Sequence, residues 1–168
     1  LELAKIEARE VEFSLAELNS ADIVQECIHM LMLLTETKKI EIKLDNFIAY
    51  TIKADEIKLK QILINLLNNA IKYSPSNTTV IVTNQPTNEG FLRINIQDHG
   101  IGIPAGQLQE IFTPFHRIGQ EKTDIEGTGI GLTVAMEIIK AMNGRIGVES
   151  TVGEGSTFWI ELPLVKNE

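Results

Sequence analysis

The sequence predicts an α+β fold, with helices on one face of a mixed, mostly antiparallel sheet. Three observations lead there. Several short segments alternate apolar and polar residues, the period of a half-buried strand. Three longer segments repeat apolar residues at helical spacing. Strands and helices do not alternate in the regular βαβ order that builds a parallel sheet. The chain has 168 residues, 43% of them hydrophobic and 23% charged. That is enough apolar material for one domain with its own core, and it excludes a wholly disordered chain.

The elements follow in order. Residues 1–12 are charged and helix-prone, with Leu3, Ile6 and Val11 as a thin apolar stripe. Val11, Phe13 and Leu15 alternate as a strand does. Asn19 and Ser20 are helix N-cap residue types, and Ile23, Cys27, Met30 and Leu34 follow at helical spacing. Ile40 to Leu44 and Ile48 to Ala54 read as two strands. Asp55 opens a helix that Ser74 and Pro75 end near Tyr73. Thr79 to Thr83 and Phe91 to Gln97 are strands. Asp98 to Gly106 is a glycine-rich loop, Gln107 to Phe112 a short helix, and 113–127 a long loop without period. Thr128 to Met142 is a helix closed by Asn143 and Gly144. Arg145 to Ser150 and Ser156 to Leu162 form a hairpin around Val152 to Gly155.

Composition narrows the function. With 15 Lys and Arg against 23 Asp and Glu, the formal charge is −8, so sequence-independent nucleic-acid binding, which needs a basic surface, is not expected. The single cysteine, Cys27, excludes an intrachain disulfide and suits a reducing, cytoplasmic setting. No apolar run has the length of a membrane span, and no membrane contact is expected. The chain opens on Leu1 rather than methionine and is read as a piece of something longer.

The helix from Asp55 to Tyr73 carries an unusual stripe. At about 100° per residue, Lys58, Gln61, Asn65, Asn68, Asn69 and Lys72 fall within an arc of roughly 100°. Ile57, Leu59, Ile62, Leu63, Leu66, Leu67, Ala70 and Ile71 take most of the remaining circumference, which predicts a largely buried helix. The stripe has no carboxylate, and asparagine is a poor interior helix former. Its amides offer oxygen to a hard cation and N–H to phosphate, and Lys72 adds a positive charge. Against this stands the plain reading of a solvated helix face.

Three glycine clusters follow. Asp98-His99-Gly100-Ile101-Gly102-Ile103-Pro104 ends a strand. Asp98 there either accepts a hydrogen bond from a flat ligand or caps the turn itself. Gly127-Thr128-Gly129-Ile130-Gly131-Leu132 opens a helix, where free N–H groups and the dipole suit phosphate. Gly153-Glu154-Gly155-Ser156-Thr157-Phe158 is a hairpin turn, with Thr157 within reach of a ligand. The spacing is neither a Rossmann fingerprint nor a P-loop, and the eukaryotic protein-kinase motifs are absent.

Taken in order, these segments resemble the five boxes of the catalytic and ATP-binding domain of bacterial sensor histidine kinases. That family belongs to the wider superfamily shared with gyrase, heat-shock 90 and mismatch-repair ATPases. The N box matches Asn65 to Tyr73, the G1 box Asp98 to Gly102, and the F box Ile111 to Arg117. The G2 box matches Gly127 to Leu132 and the G3 box Gly153 to Phe158. The resemblance spans roughly Phe13 to Leu164. It implies a two-layer α/β sandwich of the Bergerat type, with residues 13–168 as the ATP-binding domain, a mobile lid at about 113–127, and residues 1–12 as the end of a dimerisation helix.

The resemblance also implies roles. Asp98 matches the acceptor of the adenine amino group, and Tyr73 the aromatic beside the base. Asn69 matches the principal Mg²⁺ ligand, with Asn65 near it. Lys72 matches a phosphate-contacting lysine, and Arg117 a lid cation near the terminal phosphate. Gly100, Gly102, Ile103, Gly127, Thr128, Gly129, Gly131, Leu132 and Thr157 match the remaining nucleotide-binding positions. Gyrase-like members carry Glu where Asn65 stands, as general base for water. An amide cannot act as that base, so slow hydrolysis and transfer of the γ-phosphoryl group to another acceptor are expected. The family's acceptor is a His followed by an acidic residue on preceding dimeric helices. His29, His99 and His116 do not fit it. The implied partners are therefore dimerisation helices absent from this chain and a downstream response regulator, with this chain alone monomeric. A regulatory nucleotide-binding module and a serine kinase of the anti-sigma-factor type are the competing readings.

Overall fold

The computed structural model describes residues 12–112 and 130–166. Seven strands and four helices are present among them. Strand β1 (Leu15–Asn19) leads into helix α1 (Ser20–Met30) and the short helix α2 (Met32–Lys38). Strands β2 (Glu41–Leu44) and β3 (Thr51–Asp55) precede the long helix α3 (Glu56–Tyr73). Strands β4 (Thr79–Pro86) and β5 (Phe91–Gln97) follow, then a 3₁₀ turn (Ala105–Gln107), helix α4 (Ile130–Ala141), and the hairpin of β6 (Arg145–Thr151) and β7 (Gly155–Pro163).

The main sheet has the strand order β2-β4-β5-β7-β6, parallel only between β2 and β4. β1 and β3 pair separately as an antiparallel ribbon. An isolated bridge from Ile52 to Leu164 joins this ribbon to the end of β7. Helices α1, α3 and α4 pack together on one face of the main sheet, which is the predicted α+β sandwich. The strand alternation puts Leu92, Ile94 and Ile96 of β5 on that face, in register with Leu162, Ile160 and Phe158 of β7. They meet Leu63, Leu66, Leu67 and Ile71 of α3 and Ile138 and Ile139 of α4 in one core. Cys27 lies in the same core. Burial pushes its thiol up to about 11, which marks it as a packing residue rather than a nucleophile.

The opposite face of the sheet covers itself. Glu161, 3% exposed, accepts Arg93 at 2.7 Å and Arg145 at 2.9 Å. Arg93 stacks on Trp159 at 4.0 Å and Arg145 on Phe91 at 4.5 Å. The guanidinium stems and rings thus shield the sheet where no helix does.

Several boundaries differ from expectation. Asn19 is the N-cap of α1, its side chain accepting from Ala21 N and Asp22 N. The helical stretch to Leu34 is not continuous. Leu31 N turns to Ile28 O at 3.1 Å, a tighter bond than the α-helix makes, and α2 starts anew. Met30, placed by its spacing on the buried side, is 63% exposed, and Leu31 packs against the core instead. Ile57 is also exposed, at 76%. On the helix wheel it falls beside Ile64 and Asn68, at the rim of the apolar arc. The first strand starts at Leu15 rather than Val11 among the described residues, and the second long strand at Thr51 rather than Ile48. β4 runs on to Pro86 because Gln85 and Pro86 still pair with Arg93 and Leu92. Gln107 to Phe112 is not a helix: the 3₁₀ turn gives way to further turns. α4 is helical from Ile130 among the described residues.

Lys39, the C-cap of α2, is left-handed at φ 60° and ψ 50°. A side chain there costs about 1 kcal/mol relative to glycine. Lys39→Gly is therefore expected to stabilise the domain by about that amount. A melt should show the midpoint a few degrees higher, and an unchanged or lower midpoint would contradict the assignment.

Candidate functional site

The site forms where the C-terminal half of α3 meets the loop after β5. Asp55 starts α3 by a double attachment: Oδ1 accepts from Lys58 N at 3.0 Å and Oδ2 from Ser14 N at 2.8 Å. The apolar arc of α3 is buried as predicted, apart from Ile57. Gln61, Asn65, Asn68, Asn69 and Lys72 are half-buried rather than bathed in solvent. The first turn of α4 closes one side of this stripe. A Cβ on Gly131 would lie 3.8 Å from the side-chain amide of Asn65. Thr133 Oγ1 donates to Phe112 O at 2.7 Å, so α4 is also fastened to the last described residue before 113. Asn68 Oδ1 and Ser74 Oγ are buried with no hydrogen-bond partner among the described residues, two orphaned polar atoms on or just beyond this helix.

Asp98 continues the helix-facing side of β5. It is 6% exposed. Its Oδ1 accepts from Gly100 N at 2.9 Å and from Ser156 N at 3.1 Å. Oδ2 receives no donor among the described residues. Burial raises the carboxyl's pKa, and the two N–H donors and His99 oppose that rise without cancelling it. A buried carboxylate with one oxygen tied and one spare is an acceptor prepared for a ligand donor.

The loop is drawn tight by backbone approaches. Gly100 lies against the Tyr73 carbonyl; a Cβ there would come within 2.7 Å of that oxygen. Gly102 has φ +76° and presses on the Thr151 carbonyl. Buried Ile103 donates its N–H to Ser150 Oγ at 2.7 Å, and that hydroxyl in turn reaches Gly155 O and Ser156 Oγ. His99 hydrogen-bonds Thr79 O through Nδ1 at 2.8 Å. Gly100 thereby brings the Asp98 loop to the end of α3 that carries Asn69, Lys72 and Tyr73, while Gly102 and Ile103 hold the same loop on the β6–β7 turn. Leu132 packs against the core.

Thr157 pairs with Gln97 and Glu149 and lines, with them and with Asp98, Ser150 and Ser156, a polar cavity of about 230 Å³. The residue of that cluster whose N–H reaches Asp98 is Ser156, one position earlier. Ser150 and Ser156 were missed in the sequence. The available signal was parity: Ser156 shares the inward face with Phe158 and Ile160, and Thr157 does not. Arg117, Gly127, Thr128 and Gly129, with the expected lid at 113–127, lie outside the described residues. So does most of the 1–12 segment.

Comparison with known proteins follows the same lines. A family described as Histidine kinase-, DNA gyrase B-, and HSP90-like ATPase matches residues 54–166. The chain is 34% identical over 174 residues to the sensor protein GacS of Pseudomonas syringae pv. syringae, covering 99% of this chain and 19% of that protein. It is 41% identical over 116 residues to the adaptive-response sensory kinase SasA of Synechococcus elongatus, covering 69% of this chain and 30% of that one. The structure of full-length ShkA in complex with AMPPNP shares the fold with a TM-score of 0.85 at 28% identity, covering 99% of this chain and 34% of that one. The nucleotide-free catalytic domain of histidine kinase ThkA matches with a TM-score of 0.75 at 26% identity, covering 90% of this chain and 96% of that one. The chain thus spans about a fifth of GacS and under a third of SasA.

Proposed function

The chain belongs to the histidine kinase-, DNA gyrase B- and HSP90-like ATPase family, and from that premise we propose that it binds Mg·ATP and donates the γ-phosphoryl group to a histidine of a dimerisation domain outside this chain, in two-component signalling on the cytoplasmic side. The observation that carries the reading is the seam itself. A buried carboxylate with a spare oxygen stands at one end of a carboxylate-free stripe of amides and Lys72.

In this reading Asp98 Oδ2 accepts from the exocyclic amino group of adenine, and Tyr73 flanks the base. Asn65, Asn69 and Lys72 face the phosphates, and the resemblance gives Arg117 and the N–H groups from Gly127 to Gly131 contacts to them as well. Asn69 and Asn65 would hold Mg²⁺ through their side-chain oxygens. Their amide oxygens are ligands of the type a hard ion takes, and the nucleotide's phosphates would supply the negative charge that the stripe lacks. When bound, the ion supplies charge neutralisation on the phosphates. The acceptor imidazole nitrogen attacks the γ-phosphorus, the bond to the bridging oxygen breaks, and ADP leaves. Asn65 does not take a proton from water, so the phosphoryl group is kept for the histidine. Positioning and charge stabilisation then supply the rate.

The test mixes this chain with radiolabelled ATP, Mg²⁺ and the dimerisation helices of its own parent protein. Acid-labile label on those helices, lost with Asn69→Ala, is the expected result. Intact binding with no label would leave a regulatory module, and acid-stable label on serine would point to the other kinase class.

A further inference from the structure

The C-terminal turn of α3 has to place Asn69, Lys72 and Tyr73 against the Asp98 loop, and the last carbonyls of a helix have no partner within it. Two of the last four here lie against other segments of the chain, and Ala70 O keeps a helical bond to the C-cap. Ala70 O accepts from Ser74 N at 3.2 Å. Lys72 O accepts from the Lys38 ammonium, across 34 residues of sequence. Tyr73 O lies under Gly100. We propose that Lys38 is a positioning residue of the nucleotide site: its ammonium, seated on the Lys72 carbonyl, fixes the end of α3 against the loop that carries Asp98. The inference rests on the nucleotide-binding reading above.

The anchor is itself anchored. Lys38 is in the last turn of α2, where Ile40 N returns to Thr35 O at 2.9 Å and Lys39 N to Glu36 O at 3.3 Å. Lys39 O then accepts from Asn77 N at 2.7 Å, on the connection that leaves α3. The end of α2 therefore grips the last turn of α3 through one side chain and the segment after α3 through one backbone bond. A cation at a helix C-terminus is favoured by the helix dipole. The ammonium is half-buried and has lost water to burial, so the carbonyl is its compensation. With Lys38 neutral and shorter, Lys72 O is left without its charged donor. The last turn of α3 is then free to shift relative to Gly100.

The test titrates a non-hydrolysable ATP analogue, and adenosine in parallel, into the unaltered chain, Lys38→Met and Lys38→Arg, well below their melting temperatures. Lys38→Met is expected to weaken the analogue about 3- to 10-fold, roughly half of what a full charge-assisted hydrogen bond would give. The loss for adenosine should be smaller, because Asn69 and Lys72 face the phosphates. Lys38→Arg should restore most of the affinity. Should Lys38→Met fail to fold, Lys38→Gln is titrated instead, with the same expectation. A lowered melting temperature with unchanged affinity for the analogue would overturn the positioning role and leave a structural one. Absence of binding by the unaltered chain would overturn the nucleotide reading itself, and this inference with it.

Discussion

Asp98→Asn is expected to weaken adenine-nucleotide binding about 10- to 150-fold, while the free domain stays as stable or becomes more so. The binding loss is that of a charge-assisted hydrogen bond, about 1.5–3 kcal/mol. Geometry explains why even this isosteric change is severe. Gly100 N and Ser156 N both donate to Oδ1, so the asparagine must keep its oxygen there. Its NH₂ then faces the amino group of the base, donor against donor. Stability moves the other way. Burial raises the carboxyl's pKa above its ordinary 3.8. A raised acid pKa means that folding disfavours the charged form. The cost is absent below pH 3.8 and develops as pH rises through the folded value. Asp98→Asn should therefore melt at or above the unaltered protein at neutral pH, with the difference shrinking toward pH 4. Melts at both pH values and calorimetric titration with an ATP analogue check the two halves. Full binding with an unchanged melt would make Asp98 a turn cap only.

Gly102→Ala should be one of the most damaging single methyls among the described residues. Its φ of +76° costs an alanine about 1–2 kcal/mol. The added carbon would also lie 2.3 Å from Thr151 O, 2.7 Å from its carbonyl carbon and 2.8 Å from Val152 Cα. All three are backbone atoms that cannot swing aside. The loop must lift, and the bonds from Gly153 N to Ile101 O and from Ile103 N to Ser150 Oγ go with it, each worth about 1 kcal/mol. A loss of about 3 kcal/mol or more is expected in denaturant unfolding, with nucleotide affinity falling in parallel because the same loop carries Asp98. A loss below about 1 kcal/mol would mean that this loop does not sit on the β6–β7 turn.

The sequence announced the fold where a period was long or a residue type had one use. α3 was readable end to end because Asp55 caps it and its apolar arc repeats over eighteen residues. β5 and the hairpin were readable from alternation. The break at Leu31 was not, because a single tightened turn leaves the helical spacing on either side nearly unchanged. The separate β1–β3 ribbon was not either, since alternation shows a strand but not its partner. In the site, glycines and asparagines in unusual company drew attention to Asp98, Asn65 and Asn69. The roles of Ser150, Ser156 and Lys38 depend on cross-strand register and on a contact 34 residues distant, which no local pattern encodes. Ser156 and Thr157 are likewise chemically alike, and only the pleat separates them.

The most direct measurement is a pair of calorimetric titrations, with non-hydrolysable analogues of ATP and of GTP, each with and without Mg²⁺. Adenine presents an amino group to Asp98 where guanine presents a carbonyl oxygen. Saturable, Mg²⁺-sensitive binding of the ATP analogue is the expected result, with at least tenfold weaker binding of the GTP analogue, the least that losing one charge-assisted hydrogen bond would cause. Equal affinity for the two, or no effect of Mg²⁺ on the first, would contradict it.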